Sequence, residues 1–296
     1  MVIAVHSGLI ILMGLAWWFL GRDHAKWPCF AWGRLIRDSA SEALPLSQIG
    51  GYVLGARAVT LTGVSGAFAA GSTVVDVTIE LVAQLGYTII GLGLLHSVRP
   101  QTIIVGPILA GVGVMALLVT MFFAVQAKGA GAVERIGARI AGQLLGREIA
   151  GSGAVRTEIQ RIHARRGRLL SASLIHLTAW VLSGVETWLT LGFMGIPISL
   201  AAALVIDSLL YGMRSVAFMV PNALGVQEGG LVFLCALFGV GADAALALSF
   251  IKRGRDLFIG IPALLVWQAI EGRHAWDRMV VGAEEEISAR TIVRDP

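Results

Sequence analysis

The stretch VSGAFAAGSTVVDVTIELVAQLGYTIIGLGLL, residues 64–95, decides the fold. It is long enough to cross a bilayer, which takes about 20 mostly apolar residues in a helix. Its only charges are Asp76 and Glu80. Four residues apart, the two carboxylates share one helix face. Each also lies a dozen residues or more from either end, which puts both near mid-membrane. A lone charge at that depth costs about 2.5–3.5 kcal/mol on the gentlest insertion scale. Asp76 and Glu80 therefore require partners or a wet cavity.

Working outward, stretches of the same kind recur at 2–20, 101–126, 168–194, 198–220 and 242–270, so the chain reads as an all-α polytopic membrane protein of about six spans. Segments 45–62 and 221–240 are also apolar, but each opens on Pro and carries several Gly, the pattern of broken or re-entrant helices. Composition agrees: of 296 residues, 56% are hydrophobic and only 14% charged, and mean hydropathy is +0.78, which excludes a water-soluble globule. The net charge of +4 reflects basic loops on the cytoplasmic side and not nucleic-acid binding. The first stretch lacks a basic leader and reads as a span, not a cleavable signal. Trp17, Trp18, Trp27 and Trp32 read as an interfacial belt.

Loop charges orient the chain. Arg22, Lys26, Arg34 and Arg37 follow the first span, and a basic loop at 127–167 follows the third, so both regions are expected in the cytoplasm and the N-terminus outside. The loop also spaces Ile136, Ile140, Leu144 and Ile149 helically among its charges, which suits a helix on the cytoplasmic leaflet or a solvated connector. Residues 271–296 read as a polar tail.

The chain repeats itself. Leu44-Pro45-Leu46-Ser47-Gln48-Ile49-Gly50-Gly51 has a counterpart in residues 220–230, where Val220-Pro221 leads to Gln227-Glu228-Gly229-Gly230. Aligning Val64 with Val240 sets Asp76 opposite Lys252 and Glu80 opposite Asp256. Repeat units of about 44–95 and 220–270 thus each carry a Pro-led broken segment and then a long helix with charges one turn apart. Paired interrupted segments of this kind point to the site of a transporter, because broken helices offer free backbone groups to a cavity.

Arg57, Glu186, Asp207, Arg214, Glu228, Lys252, Arg253, Arg255 and Asp256 add charges at or near membrane depth. Two readings are open: static ion pairs that join helices, or groups that bind the polar or anionic head of a lipid. Guanidinium supplies a planar fork suited to phosphate or carboxylate. The candidate binding residues are Gln48, Arg57, Asp76, Glu80, Arg214, Gln227, Glu228, Arg253, Arg255 and Asp256, and the binding reading expects Arg57, Asp76, Glu228 and Arg255 to converge in one cavity. The six histidines have no ligand spacing, so no metal is expected. Cys29 and Cys235 form no CxxC pair and read as small buried residues. No nucleophile elbow, P-loop or dinucleotide fingerprint occurs, and Asp76-x-x-x-Glu80 lacks the Asp-Gly and Ala-Arg elements of CDP-alcohol phosphotransferases. Neither an enzyme nor a cofactor is expected.

Arg34-Leu35-Ile36-Arg37, Glu42-Ala43-Leu44-Pro45, Gln48-Ile49-Gly50-Gly51, Gly55-Ala56-Arg57 and Val75-Asp76-x-x-x-Glu80 resemble the transmembrane family that includes the flippase region of lysylphosphatidylglycerol synthase. Pro221 to Gly229 and Arg253-x-Arg255-Asp256 extend the likeness, which covers about 2–270. Within the family the chain is similar to hopanoid-biosynthesis-associated members. The resemblance implies a single flippase-like domain over 1–270 in a bacterial inner membrane, with hopanoid or phospholipid partners and lipid biosynthesis or transport proteins nearby. Members usually carry one more N-terminal helix than is read here, and the synthase's aminoacyl-transfer domain has no counterpart after residue 270. The alternatives are an intramembrane enzyme acting on a lipid head group and a non-transporting subunit that scaffolds lipid biosynthesis.

Overall fold

The structure is a computed structural model that describes residues 1–44, 47–99, 153–217 and 220–292, with isolated positions at 113, 116, 117 and 120. The expected span at 101–126 and most of the basic loop lie outside the described residues. What is described is all helical: α1 (Val2–Gly21), α2 (Trp27–Ala43), α3 (Ser47–Thr60), α4 (Gly66–Val98), α5 (Ala154–His163), α6 (Arg166–Phe193), α7 (Leu200–Val216), a 3-10 turn at Pro221–Ala223, α8 (Val226–Ala236) and α9 (Ala242–Ile292). Among the described residues α1, α4 and α6 are long and apolar enough to cross a membrane. Helix α9 has 51 residues, about 76 Å at 1.5 Å per residue, so it extends far past a hydrocarbon core of about 30 Å. The start of the expected polar tail is therefore a continuation of this helix.

Local chemistry places the breaks. Pro28 sits in the first turn of α2, where its missing N–H costs nothing. Ser65 and Ser199 cap α4 and α7 by accepting from the N–H of Phe68 and Ala202, which satisfies orphan donors at each start. Before α8 the backbone turns left-handed at Asn222, Ala223 and Gly225, with φ of 51°, 47° and 80°. Glycine takes such a φ without strain and asparagine tolerates it, so the strain falls on Ala223.

Two inverted units are built from these helices. Helices α1 and α6 run antiparallel. His6 near the start of α1 meets Glu186 toward the end of α6, and Asp23 just past α1 meets Arg165 and Arg168 where α6 begins. From the Asp23 end, α2 rises and folds back as α3; from the other end, α7 descends and folds back as α8. The hairpin tips meet in the middle, where Arg214 Nη2 donates to Glu42 Oε1 at 2.6 Å and Asn222 Nδ2 to the Glu42 carbonyl at 2.7 Å. Helices α4 and α9 then traverse the bundle in opposite directions.

The repeat is thus longer than the 44–95 and 220–270 units: α1–α4 corresponds to α6–α9. Helices α2 and α7 are both 17 residues long and start 173 residues apart, at Trp27 and Leu200, while α4 and α9 start 176 apart, at Gly66 and Ala242. Close approaches repeat too. A Cβ on Gly14 would lie 2.6 Å from Ala31 Cα, and one on Gly184 would lie 3.3 Å from Leu204 Cα. Steps of 170 and 173 residues relate these pairs. The likeness of the first helices is faint in sequence because at a step of 170 residues it consists of one histidine, one leucine, one glycine and one tryptophan (His6 with His176, Leu12 with Leu182, Gly14 with Gly184, Trp18 with Trp188) among interchangeable apolar residues.

Each unit keeps its own apolar core. Trp17, Leu20, Phe30, Val59, Phe68 and Val75 pack in the first. Leu191, Val205, Ile206, Leu210, Leu231 and Leu234 pack in the second. Met13, Ala83, Tyr87, Ala179 and Trp180 join them between. Trp17 is fully buried, edge-on to Phe30 and donating to Ser72 Oγ at 3.1 Å. That corrects its reading as an interfacial residue: a partner for its N–H lies inside the bundle, so its ring need not seek the surface. Gly14→Ala should destabilise the protein by about 1–3 kcal/mol, because helix backbones already touch there. Gly8→Ala, with nothing within 4 Å, should stabilise it by about 0.5–1 kcal/mol through helix propensity. Thermal unfolding of both variants in one detergent checks the contrast, and equal shifts would refute it.

Candidate functional site: charge clusters at the hairpins

In the first unit Arg34 and Arg37, one turn apart on α2, face Asp76 and Glu80, one turn apart on α4. Arg34 grips Glu80 with Nη1 and Nη2 at 2.8 and 2.7 Å, and its Nε donates to Asp38 at 2.8 Å. Arg37 donates to Asp76 Oδ2 at 2.7 Å and also to Glu80, with its guanidinium 4.5 Å from the centre of the Tyr52 ring. From the other unit, His176 on α6 places Nε2 3.0 Å from Asp76 Oδ1. Both arginines are buried. This corrects their reading as cytoplasmic loop charges: they stand in a helix, on the face turned to α4, where two carboxylates neutralise them.

The second unit makes the same helix-to-helix bridge with its charges reversed. Asp207 occupies on α7 the position of Arg34 on α2, and Lys252 occupies on α9 the position of Asp76 on α4. Arg34 Nη1 lies 3.9 Å from Asp76 Oδ2, and Lys252 Nζ lies 2.8 Å from Asp207 Oδ1. Thr187 Oγ1 donates to the same oxygen at 2.7 Å and Tyr87 to the other at 3.3 Å, so both lone-pair sides of the buried Asp207 are engaged. One turn further along α9, Arg255 pairs with Glu186 and with Asp256, and His6 reaches both carboxylates.

A third group lies where the hairpin tips touch. Arg214 donates to Glu42 and, at 2.8 Å, to Gln227 Oε1. Gln227 Nε2 donates to Ser249 Oγ at 2.9 Å, and Ser249 Oγ lies 3.1 Å from Glu228 Oε1. Glu228 accepts from Arg253 Nε at 2.7 Å and from the N–H of Gly225 at 2.8 Å, so it both closes an ion pair and holds the start of α8. Arg253 returns to the tip through the Asn222 carbonyl.

The ten expected site residues therefore divide. Arg214, Gln227, Glu228 and Arg253 meet at the hairpin tips, Asp76 and Glu80 belong to the Arg34 and Arg37 cluster, and Arg255 pairs with Asp256. Arg57 on α3 bonds Glu271 on α9 with Nε and Nη2 at 2.9 and 2.7 Å. Gln48 is exposed and accepts from Tyr52. Arg57, Asp76, Glu228 and Arg255 do not share one cavity in this conformation. Arg34, Arg37, Glu42, His6 and His176 are the members that the sequence reading passed over. For the two arginines a signal existed: their i,i+3 spacing puts both on one helix face, as the i,i+4 spacing does for Asp76 and Glu80.

Chemically, these guanidinium forks are paired with carboxylates, and their planar donors are of the kind that suits phosphate or carboxylate. A surface groove of about 310 Å³ ends on one of them. Met1, Val2 and Ile3 of the α1 end and Ile251, Gly254, Arg255 and Phe258 of α9 line it. Among the described residues no cluster of three or more His, Cys, Asp or Glu is arranged to hold a metal ion.

Residues 1–263 match the family model of the lysylphosphatidylglycerol synthase TM region. No curated protein and no solved structure matches the chain.

Proposed function

The chain belongs to the lysylphosphatidylglycerol synthase transmembrane-region family, and from that premise we propose that it translocates or otherwise handles polar-headed lipids, hopanoid or phospholipid, in a bacterial inner membrane. The observation that carries the reading is the meeting of two inverted re-entrant hairpins at Glu42, Arg214 and Asn222. In membrane proteins, irregular backbone at depth persists where protein or a water-filled path covers it, and inverted repeats put substrates at their interface. A head group bearing phosphate or carboxylate takes over the forks of Arg214 and Arg253 as Glu42 and Glu228 swing away, while its apolar part stays in lipid. The pairs present in this conformation are the closed contacts that such a step exchanges. On this reading the Asp23 end, with its cluster of arginines, faces the cytoplasm, and the chemistry is transport, with no covalent change to the lipid.

Purified protein in vesicles carrying fluorescent phospholipid or hopanoid probes tests it. Wild type should speed leaflet exchange over empty vesicles. Arg214→Gln, Asp76→Asn and Arg255→Gln should each slow it at least about tenfold, the loss expected when about 1.4 kcal/mol of a charged interaction is removed. Equal exchange in all four proteins, or co-purification of a lipid-synthesis partner whose activity the charge variants leave intact, would replace translocation with the scaffold reading.

A further inference from the structure

The two hairpins hold the same place in their units but are packed differently. In α2–α3 the contact is backbone on backbone. A Cβ on Gly51 would lie 2.6 Å from the Arg37 carbonyl oxygen and 2.0 Å from Ser41 Oγ, and one on Gly55 would lie 2.9 Å from the Gly33 carbonyl oxygen and 2.7 Å from Arg37 Cβ. Gly51 and Gly55 are one turn apart, so one face of α3 is pressed onto α2. In α7–α8 the counterpart of Gly51 in the repeat is Gly230. The nearest neighbours of a Cβ there are side-chain ends, Leu210 Cδ1 at 3.0 Å and Met213 Cε and Sδ at 3.3 and 3.4 Å. A Cβ on Gly229 meets nothing within 4 Å. Side-chain ends turn between rotamers, whereas touching backbones have nothing that can give.

The ties to the rest of the bundle differ as well. Helix α3 is braced across the units, since Arg57 grips Glu271 of α9 with Nε and Nη2 at 2.9 and 2.7 Å. Arg37, bonded to Asp76 and Glu80, also lies over the Tyr52 ring of α3. The side-chain bonds described for α8 stay in its own unit and gather at its first turn. There Gln227 meets Arg214 and Ser249, and Glu228 meets Ser249, Arg253 and the N–H of Gly225. Further along, α8 is held by the apolar packing of Leu231, Leu234 and Cys235. Left-handed glycines flank it, Gly225 before and Gly239 after, with φ of 80° and 76°. Helix α3 also ends on such a glycine, Gly63 with φ of 92°, so what separates the two hairpins is packing and bracing.

We propose that α8 is the moving helix of the bundle and α2–α3 the frame it moves against, with Arg57 a brace of that frame and not a head-group ligand. Helix α8 tilts about Gly225 and Gly239 as the side chains of Leu210 and Met213 give way. Its first turn then carries Glu228 off Arg253 and Gln227 off Arg214, which uncovers the first guanidinium and one side of the second. The proposal rests on the lipid-handling reading only for what the uncovered forks receive, the phosphate or carboxylate of a head group.

Hydrogen–deuterium exchange of the wild-type chain in lipid nanodiscs tests this without any substitution. Amides of 226–236 should exchange at least about tenfold faster than those of 47–60, as expected of a helix that opens more readily. Equal protection, or faster exchange in α3, would overturn the proposal. Spin-label distances read the movement itself. In a chain with Cys29 and Cys235 replaced by alanine, Phe233→Cys on α8 and Ile49→Cys on α3 are each paired with Leu174→Cys on α6, all three being exposed positions. The Phe233 pair should give a broad or two-peaked distance distribution and the Ile49 pair a single narrow one. Narrow single peaks from both pairs would overturn a moving α8. Arg57→Gln should broaden the Ile49 distribution, and an unchanged distribution would overturn the brace. Neither readout involves lipid exchange, so a moving α8 without translocation, or translocation with α8 fixed, would be recognised as such.

Discussion

Glu80→Gln should be the most damaging single substitution among the charged residues, costing about 3–5 kcal/mol of stability, the range for removing one partner of a buried ion pair. The amide is the same size, so no cavity opens; what is lost is charge. Glu80 accepts both Nη groups of Arg34 and one of Arg37, and both arginines are buried. With Glu80 neutral, two guanidiniums are left with Asp76, already shared with His176, and with Asp38 at the margin of the cluster. Detergent-solubilised protein should unfold at markedly lower temperature, and the loss should be largely recovered when Arg34 is also replaced by methionine, which restores charge balance within the cluster. A change under about 1 kcal/mol, the level of an exposed pair, would show that the cluster is wet and that the guanidiniums are solvated.

The second large effect concerns the reversed bridge. Lys252→Met should cost about 3–5 kcal/mol, because Asp207 is wholly buried and would keep only the hydroxyls of Thr187 and Tyr87. Asp207→Asn together with Lys252→Met should recover all but about 1–2 kcal/mol, since a neutral pair of similar volume removes the desolvation penalty along with the attraction. The double-mutant cycle gives the coupling directly. Additive losses would mean that Asp207 and Lys252 act independently and that the 2.8 Å contact does not hold α7 to α9. If the double variant folds and yet fails to exchange lipid, the bridge serves movement more than stability, which is what transport by exchange of partners requires.

Much of the architecture was legible because it is local. Hydropathy marks α1, α4 and α6, since a helix in lipid must be apolar along its length. The Pro-led segments ahead of α3 and α8 mark where each hairpin breaks, since the residue before a proline leaves the helical region; the Gly-Gly pairs lie inside α3 and α8, and Pro262 is accommodated inside α9. Asp76 on α4 bonds Arg37 of α2, and Lys252 on α9 bonds Asp207 of α7. The path from the Pro221 turn into α8, with left-handed backbone at Asn222 and Ala223, was not legible, because neither residue demands that conformation.

The candidate site was legible in its acids and less so in its bases. Asp76 and Glu80 stand out because nothing around them in sequence is charged. Arg34 and Arg37 sit among Arg22, Lys26 and Asp38, so composition assigns them to a loop, although they serve the same cluster. His6 and His176 are ordinary in sequence. Their meaning comes from Glu186, 180 residues from His6, and Asp76, 100 residues from His176.

By itself, then, the sequence determined that this chain is a helical membrane protein with a duplicated, Pro-interrupted plan and charges at depth, because periodicity and hydropathy are properties of one segment at a time. Which charge neutralises which, that the two units are inverted so their hairpin tips touch at Glu42 and Arg214, and that of two equivalent histidines one lies between two carboxylates and the other faces one, were decided only by tertiary structure. Those facts depend on distances between segments far apart in the chain, and an electrostatic partner is chosen by proximity and burial, neither of which a residue carries with it.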